Sequence, residues 1–297
     1  MHLELRYVTR FLYPSPVWDS HNALRAKPAS DDHQRLGSYV VTITPHARVF
    51  TYVDNWGTEV NTFSIGDEHT ELIVDARAAV DTTLRPIPPP DIHSGLVADG
   101  GFREDHWTYL RPSSHVEWTE EIAETARHVV GDSTDVVERI RRVAGFVADR
   151  LEYTPGATVV GTKVSELWAI RQGVCQDFAH LSIGLLRSIG IPARFVSGYL
   201  YAADPASADF SDTGEIVVQT HAWVEAAIPR WGWWAIDPTN ETVVGERHVT
   251  IGRGRDYEDV MPLRGVYHGD AEATLAVEVT MSQSVVTERI PALSIDQ

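Results

Sequence analysis

The sequence predicts an α+β protein in which a small β-sandwich-like unit precedes a mixed helix-and-sheet core. Three observations carry that prediction: period-two alternation early in the chain, a proline run, and helical periodicity beyond it. Leu3, Leu5 and Tyr7 alternate with His2, Glu4 and Arg6, and Leu72, Val74, Ala76, Ala78 and Val80 alternate again. Each run reads as a strand with one buried face, and Asp54-Asn55-Trp56-Gly57 and Gly66-Asp67-Glu68 supply turn chemistry between such runs. Arg85-Pro86-Ile87-Pro88-Pro89-Pro90 then stops helix and ladder alike, because proline has no N–H and a fixed φ. The expected organisation is a β-rich unit over residues 1–84, a linker over 85–116, a mixed core over 117–270, and a C-terminal strand and tail over 271–297.

Within the core, Ile122, Ala126, Val129 and Val130 share one face of a helix starting near Thr119. Val136, Ile140, Val143, Val147 and Leu151 mark a second helix, with a cap between Ser133 and Asp135. A short helix over residues 165–170 leads to a third long one, from Cys175 to Ile189, with Phe178, Leu181, Leu185 and Ile189 inward and Gly190 and Pro192 as its stop. Strands are expected over 194–201, 215–228 and 233–237, a loop over 202–214, and a last strand around Leu275, Val277 and Val279.

A chain of 297 residues, 43% hydrophobic and 23% charged, has ample material for a core and is long enough for two domains. Its 42 acidic against 25 basic residues, net −17, argue against nucleic acid and anionic membranes as partners. No run approaches membrane-spanning length, and the first residues lack the apolar centre of a signal peptide. A single cysteine excludes an intramolecular disulfide and suits a reducing compartment, so a cytoplasmic location is expected.

That cysteine, Cys175, opens its helix in Gly173-Val174-Cys175-Gln176-Asp177-Phe178. Free N–H groups and the positive end of the helix dipole at such a position favour the thiolate, the form that attacks carbonyl carbon. Asp177 opposes this slightly, so a histidine partner is needed, and Gly173 permits a tight approach to the helix. Downstream stand His221 in Thr220-His221-Ala222-Trp223-Val224-Glu225 and Asp237 in Asp237-Pro238-Thr239. If the turn Pro229-Arg230-Trp231-Gly232 is symmetric about Pro229, His221 lies directly opposite Asp237 in a hairpin, and the carboxylate can orient the imidazole. Each residue alone has a plain structural reading: buried small thiol, core histidine, turn aspartate. The three together point to a nucleophile, its base and the orienter of that base. A zinc site explains them less well, since one cysteine and no close Cys or His spacing leave the ligands unpatterned. The tryptophans Trp168, Trp223, Trp231, Trp233 and Trp234 read as packing, some of them as walls of a cleft.

The segments over 173–181, 186–199, 221–225 and 237–240, with Arg255-Asp256-Tyr257 and Asp259-Val260 beyond them, resemble the bacterial transglutaminase-like proteins over roughly residues 150–265. The first 80 or so residues resemble the β-rich region that accompanies that core. The resemblance implies a papain-like α+β core, a triad of Cys175, His221 and Asp237, and acyl-enzyme chemistry on carboxamide or peptide bonds. It also suggests Tyr153 as an oxyanion donor beside the Cys175 backbone N–H, with Trp168 as the alternative. No metal or organic cofactor is implied. The expected partners are a protein or peptide substrate and, if acyl transfer rather than hydrolysis completes the cycle, an amine acceptor. A non-catalytic binding protein using its N-terminal β unit is the competing class.

Overall fold

The computed structural model describes residues 1–202 and 215–283. The loop expected over 202–214, apart from Ala202, and the end of the tail lie outside the described residues. Five antiparallel strands come first: β1 (His2–Leu24), β2 (Gln34–Thr44), β3 (Phe50–Val53), β4 (Glu59–Ile65) and β5 (His69–Thr82). The alternating residues singled out above are their buried faces, with Leu3, Leu5 and Tyr7 on β1 and Leu72 through Val80 on β5 all at most 6% exposed. β1 serves two sets of partners. Its first half pairs with β5, and its register shifts between Leu12 and Val17, around Pro14 and Pro16. Its second half pairs with β4. Prolines cannot donate to a ladder, so this is where the long strand changes neighbours.

The proline-rich segment leads into short helical turns at Ser94–Ala98 and Trp107–Leu110, with α1 (Gly100–Asp105) between them. Next come α2 (Glu120–Val130), α3 (Val136–Arg150), β6 (Glu152–Tyr153), α4 (Val164–Ile170), β7 (Gln172–Gly173) and α5 (Cys175–Ser188). Thr119 caps α2 through the Ile122 N–H, and Asp135 caps α3 through the Val137 N–H. The inward set of α5 is as expected for Phe178, Leu181 and Leu185, whereas Ile189 is its half-buried C-cap. Gly190 follows at φ +82°, the left-handed conformation that ends helices.

The second sheet contains β8 (Ala193–Leu200), β10 (Thr220–Ile228), β11 (Gly232–Asp237), β12 (Thr242–Val243) and β13 (His248–Gly254), in the order β12-β11-β10-β8-β13. Ala222, Val224, Ala226 and Ile228 face the helices, together with Phe195, Trp234 and Ile236. Tyr199, Tyr201, Val249 and Ile251 instead pack among Leu3, Leu5, Tyr7 and Val74 of the first sheet. The second sheet therefore lies between the helices and the β-rich unit.

One expectation changes here. Residues 215–228 are not one strand: β9 (Glu215–Val218) pairs with β15 (Thr274–Gln283), while β10 belongs to the other sheet. The C-terminal strand also returns to the start of the chain, since β15 and β14 (Leu263–His268) both pair with β1; a last short helix, α6 (Tyr257–Val260), precedes them. Alternation predicts a strand but not its partner, and the β1–β15 pairing joins residues more than 260 apart in sequence.

A buried charge cluster braces the second sheet. Glu225, 2% exposed, lies 2.6 Å from Arg194 of β8 and 3.0 Å from Arg253 of β13, and Arg253 also reaches Asp31 at 2.7 Å. Burial would raise the Glu225 carboxyl, but the two guanidinium groups hold it at about 2. Removing the carboxylate takes away the acid that Arg194 and Arg253 share, leaving Arg253 with Asp31. Glu225→Ala should therefore cost about 3–5 kcal/mol in denaturant unfolding. A loss below about 1 kcal/mol would show the cluster to be solvated in solution.

Candidate active site

Cys175 is the first residue of α5, so its N–H has no intrahelical partner. Val174 at the N-cap has no side chain able to cap, and Asp177 takes over that duty. Its Oδ2 accepts the Val174 N–H at 2.8 Å and the Thr158 hydroxyl at 2.6 Å, tying the loop after β6 to the helix start. Burial raises the Asp177 carboxyl, with those two hydrogen bonds opposing. Gly173 is required for space, not for a special φ: a Cβ there would lie 2.6 Å from Asp177.

The thiol is half-buried, 3.9 Å from the Thr220 carbonyl at the start of β10, and its charge acts on the next side chain, His221. His221 Nε2 lies 2.6 Å from Asp237 Oδ2, which leaves Nδ1 for the sulfur. The hairpin holding these residues differs in register from the expected one. β10 and β11 pair from Val224↔Ile236 to Ile228↔Gly232, centred on Arg230 rather than Pro229. Arg230 and Gly232 adopt φ of +66° and +113° to make the turn. Continued, this register sets Asp237 across from Trp223, and His221 is its diagonal neighbour. A shift of two residues keeps side chains on the same face, so the pair still meets.

Asp237 is fully buried and saturated with donors. Oδ1 accepts the backbone N–H groups of Thr239 at 3.0 Å and Asn240 at 3.2 Å. Oδ2 accepts Asn240 Nδ2 at 2.7 Å and lies 3.3 Å from His248 Nε2. The carboxyl is consequently held far below the usual carboxylate range despite burial. Burial alone would lower His221, but hydrogen bonds and charge from Asp237 and Cys175 raise it to about 9. Trp223 packs 6.0 Å from the His221 ring and 5.3 Å from His248. Its ring fits because residue 198 is glycine, where a Cβ would lie 2.5 Å from it.

Tyr153 sits on β6, in parallel pairing with Gly173 two residues before the cysteine. Its ring packs 6.3 Å from Phe178, and its hydroxyl is raised by burial and by the charge of Cys175. Trp168 is otherwise engaged: its Nε1–H donates to Glu121 at 2.9 Å and Arg150 stacks 3.4 Å over its ring. Asn240 and His248 did not stand out in the sequence. Asn240 is three residues from Asp237, but His248 arrives from β13 with no spacing signal.

Among the described residues, one group of side chains could in principle gather a cation: His221, Asp237 and His248, whose atoms lie within 4.8 Å of one another. The 2.6 Å contact between His221 and Asp237 is shorter than the roughly 3.3 Å between neighbouring ligands of a tetrahedral zinc ion. Hydrogen bonding accounts for the trio. Among the described residues no helix is long and apolar enough to cross a membrane.

Residues 123–238 match the Transglutaminase-like superfamily, and residues 3–81 match the Bacterial transglutaminase-like N-terminal region. An uncharacterised protein of Mycobacterium leprae is 35% identical over 284 residues, covering 93% of this chain and 96% of that one. A Pseudomonas aeruginosa protein-glutamine gamma-glutamyltransferase is 35% identical over 77 residues, 25% of this chain and 11% of its own. The crystal structure of a protein from Cytophaga hutchinsonii, provisionally described as a cysteine protease, superposes with a TM-score of 0.73 at 24% identity, covering 97% of this chain and 92% of the other. That likeness establishes the fold.

Proposed function

Because this chain belongs to the bacterial transglutaminase-like family, its thiol site sits on a scaffold associated with acyl chemistry, and we propose that Cys175, His221 and Asp237 form the catalytic triad of an acyl-transfer enzyme acting on carboxamide or peptide bonds. The observation that carries this reading is a thiol at a helix N-terminus whose charge acts on His221, with His221 Nε2 2.6 Å from a buried, donor-saturated Asp237.

The thiol proton passes to His221, and the thiolate attacks the carbonyl carbon. The N–H of Cys175, with Tyr153 as the proposed second donor, receives the oxyanion. As the tetrahedral species collapses, the C–N bond breaks and His221 gives its proton to the leaving amine or ammonia, leaving a thioester on Cys175. His221 then takes a proton from the incoming water or amine, and the thiolate departs. Asp237 holds the imidazole in the Nε2–H tautomer throughout. We favour water as the acceptor, because hydrolysis requires no second binding site. Transfer to an amine is the second reading, favoured by the local match to a protein-glutamine gamma-glutamyltransferase.

Glutamine peptides incubated with and without a primary amine separate the two: ammonia and glutamate alone mean hydrolysis, and an amide-linked adduct means transfer. Neither product, with an unreactive Cys175, would favour the binding-protein reading. The pH profile supplies a further check. The imidazolium must survive to protonate the leaving group, and His221 keeps its proton up to about pH 9. Activity should therefore fall as pH rises through about 9, on the alkaline limb of kcat/KM. A limb near 6.5 would mean that Asp237 does not support the imidazolium in solution.

A further inference from the structure

We propose that His248 is a positioning residue of this site, an Nε2–H donor that shares Asp237 Oδ2 with His221 and so tunes how tightly the imidazolium is held. The proposal rests on the triad reading above. The Gly245 N–H points at His248 Nδ1 at 3.3 Å, which requires a lone pair there and places the proton on Nε2. That Nε2 faces Asp237 Oδ2 at 3.3 Å, and His248 is only 5% exposed. The carboxylate does not need His248 for its orientation, because Asn240 Nδ2 and two backbone N–H groups already fix it. What His248 changes is charge: a third donor on Oδ2 withdraws electron density from the oxygen that His221 uses.

The segment that leads into His248 is held by two hydrogen bonds, one of them from the N-terminal unit. The Glu246 carbonyl accepts the Thr82 hydroxyl of β5 at 2.5 Å, and the Arg247 carbonyl accepts the Tyr201 N–H at 2.9 Å. The β-rich unit thereby touches the chain at Glu246, two residues before His248. The titratable groups facing this cluster are Cys175 from α5, Tyr153 from β6, His221 from β10 and Asp237 from β11.

The test follows Cys175 and His221 without needing a substrate. Since Cys175 is the only thiol, iodoacetamide alkylation reports on it alone, and its low-pH wave marks formation of the thiolate–imidazolium pair. ¹⁵N-histidine NMR reads the His221 titration and the His248 tautomer. In His248→Phe the His221 midpoint should rise and the alkylation wave should move to lower pH, each by roughly half a pH unit, while His248→Gln, which can still donate, should stay near wild type. Midpoints that do not move, or that move inward, in a folded His248→Phe overturn the proposal. If that variant does not fold, the wild-type spectrum decides: the Nε2–H tautomer of His248 is expected, and an Nδ1–H tautomer overturns the proposal. A wild-type protein with no low-pH wave, or one whose wave survives His221→Ala, would refute the triad reading instead.

Discussion

Cys175→Ala should reduce turnover to background, a loss on the order of 10⁴–10⁶-fold, while the protein keeps its fold. The size follows from chemistry: without sulfur no thioester forms, and no other thiol exists to substitute. The fold should survive because the thiol is half-buried at a helix start whose backbone is fastened by Asp177, not by sulfur. Labelling by thiol-directed electrophiles should vanish together with activity. Amidase or acyl-transfer activity retained by purified Cys175→Ala would sink the mechanism.

Asp237→Asn should cost less than Cys175→Ala or His221→Ala, yet the site shows why a near-isosteric replacement still fails. Oδ1 must accept two backbone N–H groups, so the amide oxygen of Asn takes that place. The NH₂ then points where Oδ2 stood, at three other donors: His221 Nε2, Asn240 Nδ2 and His248 Nε2. Donor meets donor, and His221 is pushed towards the wrong tautomer. The same change in serine proteases costs about 10⁴ in turnover. A thiolate is an intrinsically stronger nucleophile than an alkoxide precursor, so we expect about 10²–10³ here. The alkaline limb should also drop from about 9 towards the ordinary histidine value, because the carboxylate's charge and hydrogen bond raised it. If rate and both limbs are unchanged while His221→Ala is inactive, Asp237 is structural and the working unit is a dyad.

How far the chain could be read before its structure depended on the range of the interaction. Local signals worked: Leu3, Leu5 and Tyr7 are a buried strand face, Asp135 is a helix cap, and Cys175 is the first residue of its helix. Pairing over long distances did not announce itself, because alternation in residues 215–218 and 274–283 says nothing about which strand lies alongside. The hairpin shows the intermediate case. Placing the turn centre on Pro229 instead of Arg230 misjudged the register by two, yet His221 and Asp237 still meet, since an even shift preserves the face. An odd error would have separated them. The donors around Asp237 are the least readable part. Asn240 is close in sequence, but His248 reaches the carboxylate only through the β13–β8 pairing, which no spacing rule encodes.

The most direct test of the central claim is intact-mass spectrometry of the protein quenched during turnover of a glutamine peptide or an activated ester. The account predicts an adduct equal to the acyl portion of the substrate, mapped to Cys175, cleared by water or amine, and absent in both Cys175→Ala and His221→Ala. Product formation with no covalent intermediate, or an adduct mapped to a residue other than Cys175, would contradict it.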